Sequence, residues 1–141
     1  LAPEGSVARD KYIYPLSDSD YEKSALLIKN PFNFTKDEVS GEGKHLYKIN
    51  CDICHGEKGD GQGHLVQINK FPPPPSYLNE PLLSLADGKR YHTVMFGKGM
   101  MGSYASQLNH RERWLVLSYV RTLQGTTASP TTTTNDSTTI K

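Results

Sequence analysis

The sequence is poor in cysteine, apolar residues and net charge. Its 141 residues include two Cys and one Trp, and 35% of them are hydrophobic. No apolar run approaches the roughly 20 residues needed to span a bilayer, so no membrane-spanning helix is expected. The formal net charge of +1 argues against nucleic acid or an anionic membrane as the main partner, since both attract strongly basic proteins.

The composition divides the chain into three segments. Residues 1–38, which we call the arm, contain three prolines and five aromatics. We interpret the arm as extended, with one helical turn near residues 19–28, packing on its own core or on another protein. Residues 39–125 form the compact domain. Residues 126–141 are rich in Thr and Ser and are predicted to be disordered.

The compact domain is predicted to be mainly α-helical. A first helix begins near Thr35 or Ser40 and runs to about residue 50. A second covers about residues 83–96 and is broken by Gly97. The last is capped by Asn109, runs to about residue 124 and is stopped by Gly125. Between the first two lies a proline run at residues 72–75, which favours an extended path.

One motif carries chemistry, Cys51-Asp52-Ile53-Cys54-His55. Cysteines three positions apart are neighbours on a helical turn, so their thiols can add to two vinyl groups on one edge of a haem. The adjacent histidine then projects over the porphyrin and can bind the iron. This spacing is typical of covalent c-type haem attachment. A single motif predicts one haem, and such a group would help to fill a core that has little apolar mass.

Other interpretations of this motif are weaker. A structural zinc site wants four ligands, usually with a second Cys or His pair, and the sequence has no further cysteine. A redox dithiol would sit in a βαβ pattern, which is absent. A disulfide across two intervening residues would close a very short loop.

An electron carrier needs a sixth iron ligand, usually a methionine thioether or a second histidine. Met100 and Met101 lie in a glycine-rich loop, where the backbone can closely approach a flat ring. Met95 lies in an apolar helical stretch and is assigned to core packing. The less favoured alternatives are four histidines, with His92 first and the others expected to be exposed or in turns: His45, His64 and His110.

Further residues are candidates for the surroundings of the haem. A metal-bound histidine normally donates its other N–H to a carbonyl, and rigid prolines without N–H groups offer such carbonyls. Pro73 or Pro74 is the predicted acceptor. Possible partners for the haem propionates have donors that can reach acids: Tyr77, Arg90, Tyr104 and Trp114.

Residues 39–125 resemble the class I cytochrome c family. The resemblance consists of Gly43-Lys44 and Tyr47, the motif at 51–56, Gly59-Asp60-Gly61-Gln62-Gly63, Met101-Gly102-Ser103-Tyr104, and a last helix with Trp114 and Tyr119-Val120. It implies a mainly α-helical fold around one covalent haem, in which the first and last helices cross near Gly43. The family's distal methionine is commonly followed by Pro-x-aromatic. This frame selects Met101 over Met100, with Gly102 in place of the proline.

A narrower resemblance is to the mono-haem cytochrome c subunit of bacterial alternative complex III. It rests on Asn30-Pro31, Gly61-Gln62-Gly63, Pro74-Pro75-Ser76-Tyr77, Gly88 with Tyr91-His92, residues 101–108 and Arg113-Trp114. Related domains fused to haem–copper oxidases share several of these motifs. The resemblance implies a non-enzymatic electron-transfer subunit on the periplasmic side of the bacterial inner membrane. Its expected partners are the other subunits, including other cytochromes c, and a terminal oxidase.

The narrower resemblance carries two further expectations. The arm would contact partner subunits. Membrane contact would be indirect, or made through a lipid anchor that is not visible in this sequence. The alternatives are a freely diffusing periplasmic electron shuttle and a haem sensor or enzyme with an open distal site.

Overall fold

The computed structural model describes Glu4, Ser6 and residues 12–125. Within this part all regular structure is helical. The helices are α1 (Tyr21–Leu27), α2 (Lys36–Glu38), α3 (Lys44–Asn50), α4 (Asp52–His55), α5 (His64–Gln67), α6 (Asp87–Phe96) and α7 (His110–Leu123), with a 3-10 turn at Asp18–Asp20 and a π-helical turn at Val39–Gly43. The prediction of a mainly α fold is confirmed. The tail predicted for residues 126–141 lies outside the described residues.

Local sequence sets the ends of the main helices. Thr35 caps the first helix of the compact domain, which comprises α2, the π-helical turn and α3. Its hydroxyl accepts from Glu38 N–H, and the Glu38 carboxylate accepts from Thr35 N–H. Asn109 and Glu112 form the same reciprocal cap at α7. Such caps satisfy N–H groups that have no partner within the helix. Thr35, rather than Ser40, is therefore the N-cap of the first helix, and Asn109 caps the last as predicted.

The second main helix starts later than predicted, at Asp87 instead of near residue 83. The carbonyls of Leu82, Leu83 and Leu85 accept hydrogen bonds from arginine side chains of α6 and α7. Because these carbonyls are satisfied from outside, residues 82–85 form turns rather than a first helical turn. The end of α6 before Gly97 agrees with the prediction.

The first and last helices cross where Gly43 meets α7. A Cβ atom on Gly43 would lie 3.1 Å from the Leu115 carbonyl oxygen and 3.5 Å from Tyr119 Cβ. The rings of Tyr47 and Tyr119 pack beside this point, with centroids 5.3 Å apart. The glycine therefore permits the close approach that the resemblance implied.

The described part of the arm folds back onto its own domain. Gly88 of α6 has no side chain, and the carbonyls of Ser24 and Ile28 occupy the space a Cβ atom would need. Ile28 joins the buried core, whose other members come from α6, α7 and the segment between them: Tyr91, Val94, Leu108, Trp114 and Leu117. Contact of the arm with partner subunits stays a prediction. No helix in the described part of the chain is long and apolar enough to cross a membrane.

Candidate functional site

The two cysteines flank a single helical turn. Cys51 closes α3, and its carbonyl accepts from the N–H groups of Cys54 and His55 at 3.2 and 2.9 Å. The thiols are not bonded to each other. Burial, with smaller contributions from Cys54 and Asp52, raises the pKa of Cys51 to about 12, and burial also raises the pKa of Cys54. Both are therefore neutral thiols at physiological pH, held on one turn as haem attachment requires.

His55 presents an imidazole suited to a metal. Burial lowers its pKa to about 4, so the ring is neutral and keeps a free nitrogen lone pair. Its Nδ1 atom is buried and has no hydrogen-bond partner among the described residues. The Tyr77 ring stacks on the imidazole, with centroids 4.6 Å apart and planes 15° from parallel. Two neutral thiols, a neutral imidazole and an unpartnered ring nitrogen fit covalent haem with an iron–histidine bond.

The glycine-rich turn that follows the motif is hydrogen-bonded to its carbonyl groups. The N–H groups of Gly61 and Gly63 donate to the carbonyls of His55 and Cys54, at 2.8 and 3.1 Å. The buried Tyr47 hydroxyl donates to the Gly56 carbonyl at 2.7 Å. A Cβ atom on Gly63 would collide with the backbone of residues 52–54. These bonds hold the carbonyl end of α4 and fix the backbone that carries His55.

The predicted bond from His55 to Pro74 is not formed with Nδ1, which has no described partner. The Pro74 carbonyl instead approaches Gly61, in the space that a Cβ atom there would need. Pro74 and Pro73 as acceptors stay predictions. The Tyr47–Gly56 hydrogen bond could not be predicted from the sequence, although both residues belong to the motifs that resemble class I cytochromes c.

The methionine loop leaves α6 through Gly97, which has a positive φ of 81°. Lys98 and Met101 exchange two backbone hydrogen bonds, with N···O distances of 2.9 and 3.1 Å. Met101 is half-buried, whereas the Met100 side chain is 66% exposed. The exposure of Met100 favours Met101 as the iron ligand, and Met95 packs against the core as expected.

Tyr104 connects this loop with the attachment turn. Burial raises its pKa, and the nearby Cys51 and Cys54 add to the effect once their thiols ionise. Burial also raises the pKa of Tyr77, with Cys51 the next contributor. Two of the predicted haem neighbours, from segments far apart in sequence, therefore converge on the cysteines.

Arg90 and Trp114 are buried among contacts within the protein. The Arg90 guanidinium is buried and donates to the carbonyls of Leu82 and Leu85 and to the Gln124 side chain. Trp114 is 1% exposed and stacks on Tyr91 at 4.6 Å. Its Nε1 is buried and has no partner in the described part of the chain. Their roles toward propionates stay predictions.

The four alternative histidines are hydrogen-bonded, exposed or covered by another ring. Both ring nitrogens of His92 are hydrogen-bonded, to the Tyr14 hydroxyl and the Asp18 carbonyl at 3.0 Å each. His45 and His64 are exposed. His110 was expected to be exposed, but it is half-buried, because the Tyr12 ring of the arm stacks on it with centroids 3.6 Å apart.

The helical fold, the attachment turn and the neutral histidine define a c-type cytochrome domain with one covalently attached haem c. Residues 40–120, more than half of the chain, match the family model described as cytochrome c oxidase, cbb3-type, subunit III. The chain therefore belongs to this family. No curated protein matches the chain.

Proposed function

We propose that this domain is a single-electron carrier whose iron is held by His55 and Met101, with haem c attached through Cys51 and Cys54. When bound, haem c supplies a one-electron ferric/ferrous couple. The chain provides the two donor side chains and the backbone that carries them. The observation that carries this proposal is the attachment turn, where a buried neutral imidazole with an unpartnered Nδ1 follows two neutral thiols.

The protein's own residues perform three tasks in this function. His55 enters as a neutral donor because its surroundings exclude water and lower its pKa. Met101 offers a thioether, which raises the reduction potential relative to a second histidine. Tyr77 packs on the imidazole, with ring centroids 4.6 Å apart, and so holds the orientation of the donor ring.

Met101→Ala tests the axial assignment, with Met100→Ala as the matched control on the neighbouring exposed side chain. The ferric wild-type protein should show the weak near-infrared sulfur-to-iron band. Met101→Ala should lose that band and bind carbon monoxide rapidly after reduction, whereas Met100→Ala should keep wild-type behaviour. A band that persists in Met101→Ala would assign the sulfur ligand to another methionine. A ferric wild type without the band, whose reduced form binds carbon monoxide rapidly, would favour an open-site sensor or enzyme.

We further propose that the domain works as a subunit of a membrane-bound quinol-oxidising complex, alternative complex III, on the periplasmic side. It would pass electrons to a cytochrome c or a terminal oxidase. Support comes from the narrower sequence resemblance. The family's name describes an oxidase subunit, so direct membership of a terminal oxidase is a second candidate.

Purification from native membranes separates these possibilities. The native complex is isolated in detergent, and its subunits are resolved on a haem-stained gel. Copurification with large quinol-oxidising subunits supports alternative complex III, whereas copurification with a haem–copper subunit supports an oxidase. Release by salt without detergent, with no partner retained, would establish a freely diffusing shuttle instead.

A further inference from the structure

The methionine loop is fixed at both ends but only lightly in its middle. At one end Gly97 N–H donates to the Thr93 carbonyl at 2.8 Å, and at the other Tyr104 N–H donates to the Val94 carbonyl at 2.9 Å. Between these points Gly97 and Gly99 both have positive φ. Because glycines permit many backbone conformations, contacts made by the other loop residues must select the conformation that the loop adopts.

Lys98 lies between the two glycines and is paired with Met101. Its N–H donates to the Met101 carbonyl, and its carbonyl accepts from Met101 N–H. Any displacement of the Lys98 backbone therefore moves the Met101 backbone as well. Whatever holds Lys98 also holds the proposed iron ligand.

The Lys98 side chain is held by the arm. Its ammonium lies over the Tyr21 ring, 3.9 Å from the ring centroid. A cation at this distance is attracted by the electron-rich face of the ring. Tyr21 is the first residue of α1 and is half-buried. It also meets the His92 ring edge-on, with centroids 5.8 Å apart, so its position is fixed from α6.

A second ammonium, that of Lys89 in α6, also lies over the Tyr21 ring at 5.0 Å from its centroid, but Lys98 is the cation that belongs to the loop. A cavity of about 450 Å³ separates the arm from the loop, and both Tyr21 and Met101 line it. The loop therefore faces open space on this side rather than packed side chains. The contact between Lys98 and Tyr21 crosses that space.

We propose that Tyr21 is a positioning residue for Met101, which it holds through Lys98. The arm is then part of the redox site's framework, because it stabilises the loop conformation in which the thioether faces the iron. This inference rests on the proposed ligation by Met101. It assigns the arm a role within its own domain, in addition to any contact with partners.

Exogenous imidazole provides the test, because it competes with the methionine for ferric iron. Weakening the loop should make imidazole bind more tightly and should weaken the near-infrared sulfur-to-iron band. Tyr21→Leu removes the aromatic face but keeps apolar bulk, and Lys98→Met removes the cation but keeps the backbone pair. Each should lower the imidazole dissociation constant about two- to fivefold, as expected for an exposed cation–π contact. Tyr21→Phe should restore the wild-type value.

The matched control is Glu22→Gln. Glu22 also ties α1 to α6, through an ion pair with Lys89 at 2.6 Å, but it does not touch the loop. This variant should leave imidazole affinity unchanged. The double variant Tyr21→Leu/Lys98→Met should bind imidazole no more tightly than either single variant, because the two substitutions remove the same contact between Lys98 and Tyr21.

The outcomes are distinguishable. If the wild-type protein lacks the sulfur-to-iron band, Met101 ligation itself fails. If the band is present but imidazole affinity is unchanged in Tyr21→Leu and Lys98→Met, the positioning role is wrong. Additive effects in the double variant, or an equal effect of Glu22→Gln, would likewise overturn it. Lys98→Met alters only an exposed side chain, so it remains informative if Tyr21→Leu fails to fold.

Discussion

Replacing Gly43 by alanine should destabilise the protein, whereas the same change two residues earlier, at Gly41, should stabilise it. Both glycines lie in the π-helical turn Val39–Gly43. A Cβ atom on Gly41 meets nothing within 4 Å, but one on Gly43 would lie 3.1 Å from the Leu115 carbonyl oxygen. That oxygen belongs to the backbone of α7 and cannot rotate away.

The magnitude follows from two opposing effects. Alanine is favoured over glycine within a helix by about 1 kcal/mol, and Gly41→Ala should gain up to this amount. Overpacking of a buried contact costs about 1–3 kcal/mol. Gly43→Ala should therefore lose up to about 2 kcal/mol net, which places the two variants about 1–3 kcal/mol apart.

Urea unfolding of the ferric, haem-containing protein measures this difference. The transition midpoint should rise for Gly41→Ala and fall for Gly43→Ala, with similar slopes if the unfolded states are alike. Covalent attachment keeps the haem in both states, so haem loss does not distort the comparison. If Gly43→Ala were as stable as Gly41→Ala, the crossing of the first and last helices would not be as close as described.

Two further predictions use the same unfolding assay. Tyr47→Phe should lower the free energy of unfolding by about 0.5–1.5 kcal/mol, because the buried hydroxyl no longer donates to the Gly56 carbonyl. The control, Tyr119→Phe, removes a hydroxyl with no partner in the described chain and should change stability by less than about 0.5 kcal/mol. Equal losses in the two variants would contradict a specific role for the Tyr47 hydrogen bond. Burial and then the charge of Arg113 lower the pKa of His110, so below the usual value of 6.5 the unfolded chain binds more protons than the folded one. Stability from this group should thus be complete above pH 6.5 and decline as the pH falls toward the lowered pKa. His110→Gln should flatten that part of the pH profile, and an unchanged slope would show that His110 does not titrate in this way.

Sequence alone determined the chemistry of the site. Two cysteines at this spacing, followed by histidine, are close on a helical turn whatever the rest of the fold does, since the contacts are local. The caps at Asn109 and Gly125 were predictable for the same reason, because a side chain and the backbone two or three residues away decide them. The glycine loop likewise marked Met101 and Met100 as the candidates for the distal ligand.

Only the tertiary structure decided how distant segments meet. The spacing of apolar residues could not show that the arm packs on α6, because this contact depends on the space left by Gly88, which has no side chain. Nor could it show that Tyr12 of the arm covers His110. The late start of α6 depends on Arg90 and Arg121, which donate hydrogen bonds to carbonyls in residues 82–85. The contact of Tyr21 with Lys98 joins residues far apart in the chain. Such contacts form only when folding brings the two residues together. The sequence therefore determined the haem attachment, which is local, whereas only the tertiary structure decided which residue of the arm contacts the methionine loop.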